Sequence, residues 1–396
     1  MTLATNSNRP VWNRVRLAVL FGALVTLLIP TVARATVAGP NGRIAFTRFD
    51  PVTEAPKTFT IALDGTDEIQ VPAEAAGCPA WSPGSTKLLV CTPNAAGFWR
   101  PATVNADGSG LTLLDAYPGL PIHLFCTSWS PGGDRLLCSG GSEDDPTTNG
   151  IYTVRSSDGG DLVRVSVQPE DLQDVPVGYS PDGSSILYLR QDPNGDINGD
   201  LYVVDPDGGN MHRLNPPRLR VTSSDFGGNF DFGDCCGPNA AWSPEGSRVA
   251  FTGRWTVSHH GLKGYQVAVF VVNADGTGVH RISPLGIGAR DGIGWSPNGR
   301  LIAFSTRAKI RHPQIWVVRP NGTGLREITH AANGDLAVGP VFSPDSSKIL
   351  FQAFHPEING GQEDLWTINP DGSGLTRLTH PAPGLIGEND PAWGSA

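Results

Sequence analysis

The chain repeats itself with a period of about 50 residues, and that period rules out most folds before composition is considered. Aromatic anchors stand at Trp81, Trp129, Tyr179, Trp242, Trp295 and Phe342, spaced 48, 50, 63, 53 and 47 residues apart. Each opens a segment such as "AAWSPEGSRVAF", "IGWSPNGRLIAF" or "PVFSPDSSKILF", and each is followed by a partner such as "VFVVNADGTGVHRIS", "IWVVRPNGTGLREIT" or "LWTINPDGSGLTRLT". A short apolar run, an S-P-x-G turn, an alternating run, a variable loop, a further run and a D-G or N-G turn before a last short run make four strands per unit. Seven units share this plan. Periods of this length belong to propeller arrays, whereas helical solenoids use shorter ones.

The turn residues have a mechanism. Proline after serine presets φ at a turn corner, and the Asp, Asn or Gly that follows tolerates the left-handed conformation that a tight hairpin needs. The 49 glycines and 34 prolines are the compositional trace of so many turns. The aromatic at the head of each motif, by size and position, reads as a wedge between neighbouring sheets.

These motifs resemble the TolB-like β-propeller repeat, also described as WD40-like or PD40, and the resemblance runs over residues 41 to 393. It implies an all-β, seven-bladed β-propeller of four-stranded antiparallel blades. It implies no particular function, because one scaffold hosts many. TolB itself carries an α/β domain ahead of a six-bladed propeller; only a short leader and about five residues precede the repeats here. A role in the Tol-Pal envelope system therefore gains little from the resemblance.

The first unit lacks its opening strand: "NGRIAFTRF" matches a second strand and "TFTIALDGTDEIQV" the third and fourth. "DPAW" at 390 to 393 matches the missing opening. The first blade is thus expected to be closed by strands from both termini, with truncation before Asp390 destabilising the ring and loss of 394 to 396 costing little.

Residues 1 to 35 read as a signal peptide, with Arg9, Arg14 and Arg16 before the apolar run "LAVLFGALVTLLIPTVA" and Ala33-Arg34-Ala35 as a cleavage site. A short linker, 36 to 40, leads to the propeller at 41 to 396. Cleavage removes four arginines and no acid, so the net charge of −9 becomes −13. Such a surface repels phosphate backbones, which argues against nucleic acid as a partner. The expected product is secreted, periplasmic or envelope-associated, monomeric, and without a stable membrane span after cleavage.

Six cysteines in an exported chain read as disulfides first. Cys126 and Cys138 are symmetric about the turn at Gly132, and Cys78 and Cys91 about the turn at 84 and 85, so each pair is expected to staple a hairpin. Cys235 and Cys236 lie in the insertion "SSDFGGNFDFGDCCGPN", where a vicinal disulfide, intermolecular pairing and free thiols all stay open.

In a four-stranded blade the loops after the second and fourth strands share one face, and any ligand site is expected there, at the channel mouth. His123, His259, His260, His312 and His355 fall in these loops, as do Trp255 and, in the insertion, Phe230 and Phe232. They are the candidate ligand-binding residues, although "LTH" is an ordinary repeat ending and no H-x-H or H-x-x-x-H spacing marks a metal pair. In "DPNGDINGD", Asn194, Asp196 and Asn198, with Asp205 in twelfth position, imitate a calcium loop; calcium competes there with a plain turn, and no other cofactor is expected. Glu143, Asp144, Asp145, Glu357, Glu363 and Asp364 read as a solvated acidic rim. There is no G-x-S-x-G elbow to carry nucleophilic catalysis. The leading functional expectation is a non-catalytic binding module that presents its loop face to a protein, peptide or glycan. A metal-assisted lyase or hydrolase and a purely structural envelope protein are the alternatives.

Overall fold

The computed structural model describes residues 38–49, 55–72, 76–93, 99–115, 122–142, 144–192, 198–222, 239–259, 262–306, 313–330, 335–355, 362–381 and 387–396. The signal segment, Phe230, Phe232, Asn194, Asp196, Cys235, Cys236, His260 and His312 lie outside these residues. The described chain is strand and turn, apart from one 3-10 turn at Pro146–Thr148. It forms antiparallel sheets, five of four strands and one of nine.

A representative sheet runs Ala289–Trp295, Ile302–Thr306, Gln314–Val318 and Arg326–Glu327 in chain order. Its second strand is buried throughout, Ile302 to Thr306, because sheets stack against both of its faces. Such strands read as apolar runs, like "KLLV" and "RLIAF", more than as a clean alternation. A register shift interrupts six of the innermost strands, among them Cys126/Ser128 and Val338/Val341, and a bulge at these places increases the local twist.

Three side-chain devices recur among the units. The serine of S-P-x-G accepts from the amide five residues on, as Ser130 Oγ does from Arg135 N and Ser243 Oγ from Arg248 N, both at 3.0 Å. The Asp or Asn of the later turn accepts from the amide two residues on, in Asx turns at Asp64, Asp107, Asp158, Asp207, Asp275, Asn321 and Asp371. The Ser, Thr or Asn that ends the fourth strand reaches the third: Ser166, Asn215, Ser283, Thr329 and Thr379 accept from Ile151, Leu201, Val269, Ile315 and Leu365 N. The "RLT"-type ending is therefore a backbone pin. At the turn position where Gly246 has φ 73°, the sixth motif has Ser346 at φ 64°. That serine accepts from Asn298 N of the preceding unit, a contact glycine could not make.

The terminal strands pair as the sequence implies. Glu388–Ser395 lies antiparallel to Asn41–Phe49, which continues to Pro56–Ile61 and Ile69–Gln70. Trp393 is buried among Ile44, Phe46, Ile61, Val341, Leu350, Leu365 and Leu378, which joins the chain end to two sheets. The last residues are less dispensable than expected: Ser395 pairs with Asn41, and Ala396 N–H donates to Pro40 O at 2.8 Å.

The long spacing between Tyr179 and Trp242 has a structural counterpart. Leu219–Thr222 pairs with Asn198–Val204 on one side and Arg248–His259 on the other, so two repeat units merge into the nine-stranded sheet. The expectation of uniformly separate four-stranded sheets fails there.

Cys126 and Cys138 stand opposite each other in the ladder and form a disulfide. Cys78 and Cys91 share one buried cluster with Trp99 and Phe125 at its edge. They do not face each other in the ladder as expected, since Ala76 opposes Cys91 and Cys78 sits inside a register shift at φ 58°, and the expected Cys78–Cys91 disulfide does not form.

Candidate functional site

The S-P-x-G turns deliver one wall residue after another to a single cavity of about 390 Å³. Its lining includes Trp81, Trp129, Tyr179, Trp242, Trp295 and Trp393, so the motif aromatics converge with their adjoining serines and prolines. Val341 represents the Phe342 motif. The wedge expectation and the cavity are compatible, because each indole has two ends. Trp81 Nε1 donates to Ala392 O at 3.2 Å, Trp129 Nε1 to Ala80 O at 3.0 Å, and Trp242 Nε1 to Gly178 O at 3.3 Å, each crossing to the neighbouring sheet. In these three, with the polar edge committed, part of the ring is left to line the cavity. Burial, more than any other influence, pushes the Tyr179 hydroxyl up to about 12, so the phenol is neutral at physiological pH.

This cavity lies at the end of the sheets opposite to the one expected. The motif gave a reason to bury the aromatics, but not to foresee that they would leave a common space.

At the other end of Glu388–Ser395, about 23 Å along the strand, is a buried polar network. Glu388 is ion-paired to Arg48, whose Nε donates to Glu388 Oε1 at 2.9 Å and whose Nη1 meets Glu68 at 2.7 Å. The Arg48 guanidinium also covers the stacked rings of Phe46 and Phe59. Thr379 Oγ1 donates to Glu388, tying the fourth-strand pin of one sheet to the terminal strand of the next. Burial outweighs these partners and holds the Glu388 carboxyl at about 7. Glu363 is pushed well above the usual carboxylate range by burial, and then by Asp390, Glu388 and Asp364.

Glu363 and Asp364 are not a solvated rim. They lie in the strand Gln362–Ile368 and are buried, because the strand begins earlier than the loop reading allowed. Asp364 accepts from Trp366 Nε1 at 2.5 Å and meets Arg377 Nη2 at 2.5 Å. His355 stands between Asp335, 3.1 Å from Nδ1, and Asp364, 3.2 Å from Nε2. The Asp364 contact foremost raises the His355 pKa and favours the imidazolium. Both ring nitrogens serve this network.

The other candidates are dispersed. His123 is exposed at the start of its strand, and Trp255 is 39% exposed on a long hairpin whose backbone also carries His259. Of the calcium candidates, Asn198 opens the strand Asn198–Val204 and Asp205 follows its far end, roughly 23 Å away by strand rise, so these two do not share one site, while Asn194 and Asp196 lie outside the described residues. Asp205 instead receives Asn210 Nδ2 at 2.6 Å inside its turn. Among the described residues no group of three or more His, Cys, Asp or Glu is placed to hold a metal ion, and no helix is long and apolar enough to cross a membrane.

Comparisons with known proteins add the following. No protein-family model matches the chain. An uncharacterized protein of Agrobacterium fabrum is 24% identical over 249 residues, covering 60% of this chain and 68% of its own. The β-propeller domain of the Trilobed protease from Pyrococcus furiosus, whose topology is an open velcro, covers 89% of this chain and 96% of its own at a TM-score of 0.56 and 10% identity. An oligogalacturonate lyase in complex with manganese aligns at a TM-score of 0.61 and 13% identity, covering 82% and 86%. TolB from Acinetobacter baumannii is similar over 86% of this chain and 79% of its own, at 17% identity and a TM-score of 0.48. The fold is a β-propeller. At these identities the likeness extends to the fold alone.

Proposed function

We propose that the chain is an exported, non-catalytic binding module, a seven-bladed ring closed by its two terminal strands, that holds a protein, peptide or glycan. The observation that carries this reading is the cavity of about 390 Å³, to which the innermost strands of all the repeat units contribute. Its size falls in the range of ligand pockets, and its aromatic walls with a few hydroxyls suit a partner with apolar and hydrogen-bonding groups side by side. Ring closure is supported by the terminal pairing and by the packing of Glu388–Ser395 against both Ala76–Trp81 and Gln362–Ile368. Export is supported by the leader and by the Cys126–Cys138 disulfide, a bond that persists in oxidising compartments. This reading moves the preferred site from the loop face to the S-P-x-G end.

Pull-down from secreted and envelope fractions, using wild type, a variant narrowed by Ser128→Phe and a variant lacking residues 224 to 238, tests the reading. Loss of a partner with Ser128→Phe, but not with the deletion, supports the cavity. Loss only with the deletion returns the site to the loop face, and an unchanged partner set in both refutes binding at either place.

A further inference from the structure

In three consecutive units the short last strand carries a side chain that reaches the turn of the unit that follows. His212, His280 and Arg326 hold the same place in the ladder, opposite Val203, Val271 and Val317. The remaining units have Ile69, Thr112, Val163 and Thr376 there. Arg326 shows what the place asks for. Its Nη1 donates to Gly324 O, two residues back, at 3.3 Å, and its Nη2 to Pro370 O in the next turn at 2.7 Å, so one guanidinium spans the seam between two units.

The two histidines copy this contact. His212 Nδ1 lies 3.0 Å from Asn210 O and its Nε2 2.9 Å from Ala274 O, while His280 Nδ1 lies 3.0 Å from Gly278 O and its Nε2 3.1 Å from Pro320 O. All four partners are carbonyl oxygens, which only accept. A neutral imidazole has one N–H, so both contacts are hydrogen bonds only when the side chain is protonated. Deprotonation sets a lone pair against a carbonyl oxygen at hydrogen-bond distance, and the imidazole can no longer hold both sides of the seam. The charged groups around His212 are Asp205 and Asp207 in its own turn, Arg213 beside it, Asp200 on the paired strand and Asp275 in the turn it reaches. Arg213 and Asp200 are ion-paired at 2.8 Å. Asp275 is held below the usual carboxylate range by Thr277 first and by His212 last. Around His280 stand Asp275 in its own turn, Arg281 beside it and Arg319 in the turn it reaches.

The seam at His280 has less else to hold it. Trp242 Nε1 donates to Gly178 O across the preceding seam, whereas Trp295 Nε1 has no partner among the described residues.

We propose that His212 and His280 form a pH-sensitive latch: protonated, each fastens its unit to the next, and on deprotonation the seams at Ala274 and Pro320 loosen while Arg326 keeps the seam at Pro370 fastened. A contact that only the charged side chain makes stabilises the folded state at acidic pH and is lost as pH rises through the histidine range, about 5 to 8.

The test is hydrogen exchange by mass spectrometry on residues 36–396 at pH 5.5 and pH 8, with rates corrected for the intrinsic effect of pH. Wild type should lose protection about threefold or more in turns 273–278 and 319–324 at pH 8. His280→Arg should keep the pH 5.5 protection of 319–324 at pH 8 and leave 273–278 as in wild type. His280→Leu, which has no donor, should lose the protection of 319–324 already at pH 5.5 and match wild type at pH 8. The wild-type comparison needs no variant, so it decides the first point even if a substitution disturbs folding. Protection of 273–278 and 319–324 that does not change with pH would overturn the proposal. So would failure of His280→Arg to restore 319–324 at pH 8, equal restoration of 273–278 by that variant, or a pH 5.5 protection left intact by His280→Leu.

Discussion

Glu388→Gln probes the junction of the two chain ends through pH. Glu388 is fully buried and its carboxyl is held at about 7, against an ordinary value near 4.5, because burial outweighs the Arg48 pair and the Thr379 hydrogen bond. A carboxyl raised in the folded state stabilises the fold below the unfolded pKa, and that stability is lost as pH rises through the folded pKa. A shift of this size corresponds to about 3 kcal/mol lost between pH 5 and pH 8. For a chain this long that is roughly 4 °C in Tm. Glu363 and His355, also raised, act in the same direction, so the wild-type Tm should fall across this interval by at least that amount. Glutamine resembles the protonated acid and cannot ionise. Glu388→Gln should therefore match wild type within a degree or two at pH 5, exceed it at pH 8, and retain only the slope due to Glu363 and His355. Calorimetric melts at pH 5, 6, 7 and 8 in 150 mM salt make the comparison. If Glu388→Gln is instead less stable than wild type at pH 8, the Arg48 ion pair dominates burial and the reasoning is refuted.

Thr329→Val should cost about 1 kcal/mol by removing the acceptor for Ile315 N while keeping the shape, and Thr329→Ser should restore most of it, as read by urea denaturation. Cys126→Ser should lower stability by about 2 to 4 kcal/mol relative to the oxidised protein and by much less relative to the reduced one, and a non-reducing peptide map should recover the Cys126–Cys138 pair from wild type. Removing Gly394 to Ala396 should lower Tm measurably by thermal melt, since Ser395 pairs with Asn41 and Ala396 donates to Pro40; an unchanged Tm would favour the original view that these residues are dispensable.

The sheets were legible because their signals are local. Each S-P-x-G serine, each D-G turn and each closing Ser or Thr acts within about fifteen residues, so its chemistry could be read from spacing. The pairing of Asn41–Phe49 with Glu388–Ser395 was legible for another reason: the repeat shows what the first unit lacks. What escaped were consequences of where units meet. Glu363 and Asp364 resemble loop acids until Glu388, Asp390 and His355 arrive from other strands. The cavity depends on how six aromatics from different units leave space between them, which no single motif records. The double pairing of Leu219–Thr222 depends on the length of the hairpin beside it. Asn198 and Asp205 looked like neighbours around an ion because a calcium loop and a strand of the same length cannot be told apart by ligand spacing alone.

The Arg48–Glu388 contact also sets an order of events for a chain made from its N-terminus. Its partners are 340 residues apart in sequence, so Asn41–Phe49 waits, one edge uncovered, until nearly everything after it has been delivered. Closing a loop of that length costs about 5 kcal/mol in chain entropy, against which the Trp393 cluster and the Glu388 network must form together. Completion is then a late and concerted step, and an apolar edge stays open to wrong partners throughout synthesis. For this protein the hazard is greatest before its last strand emerges, which makes the first strand the natural place for a chaperone to hold.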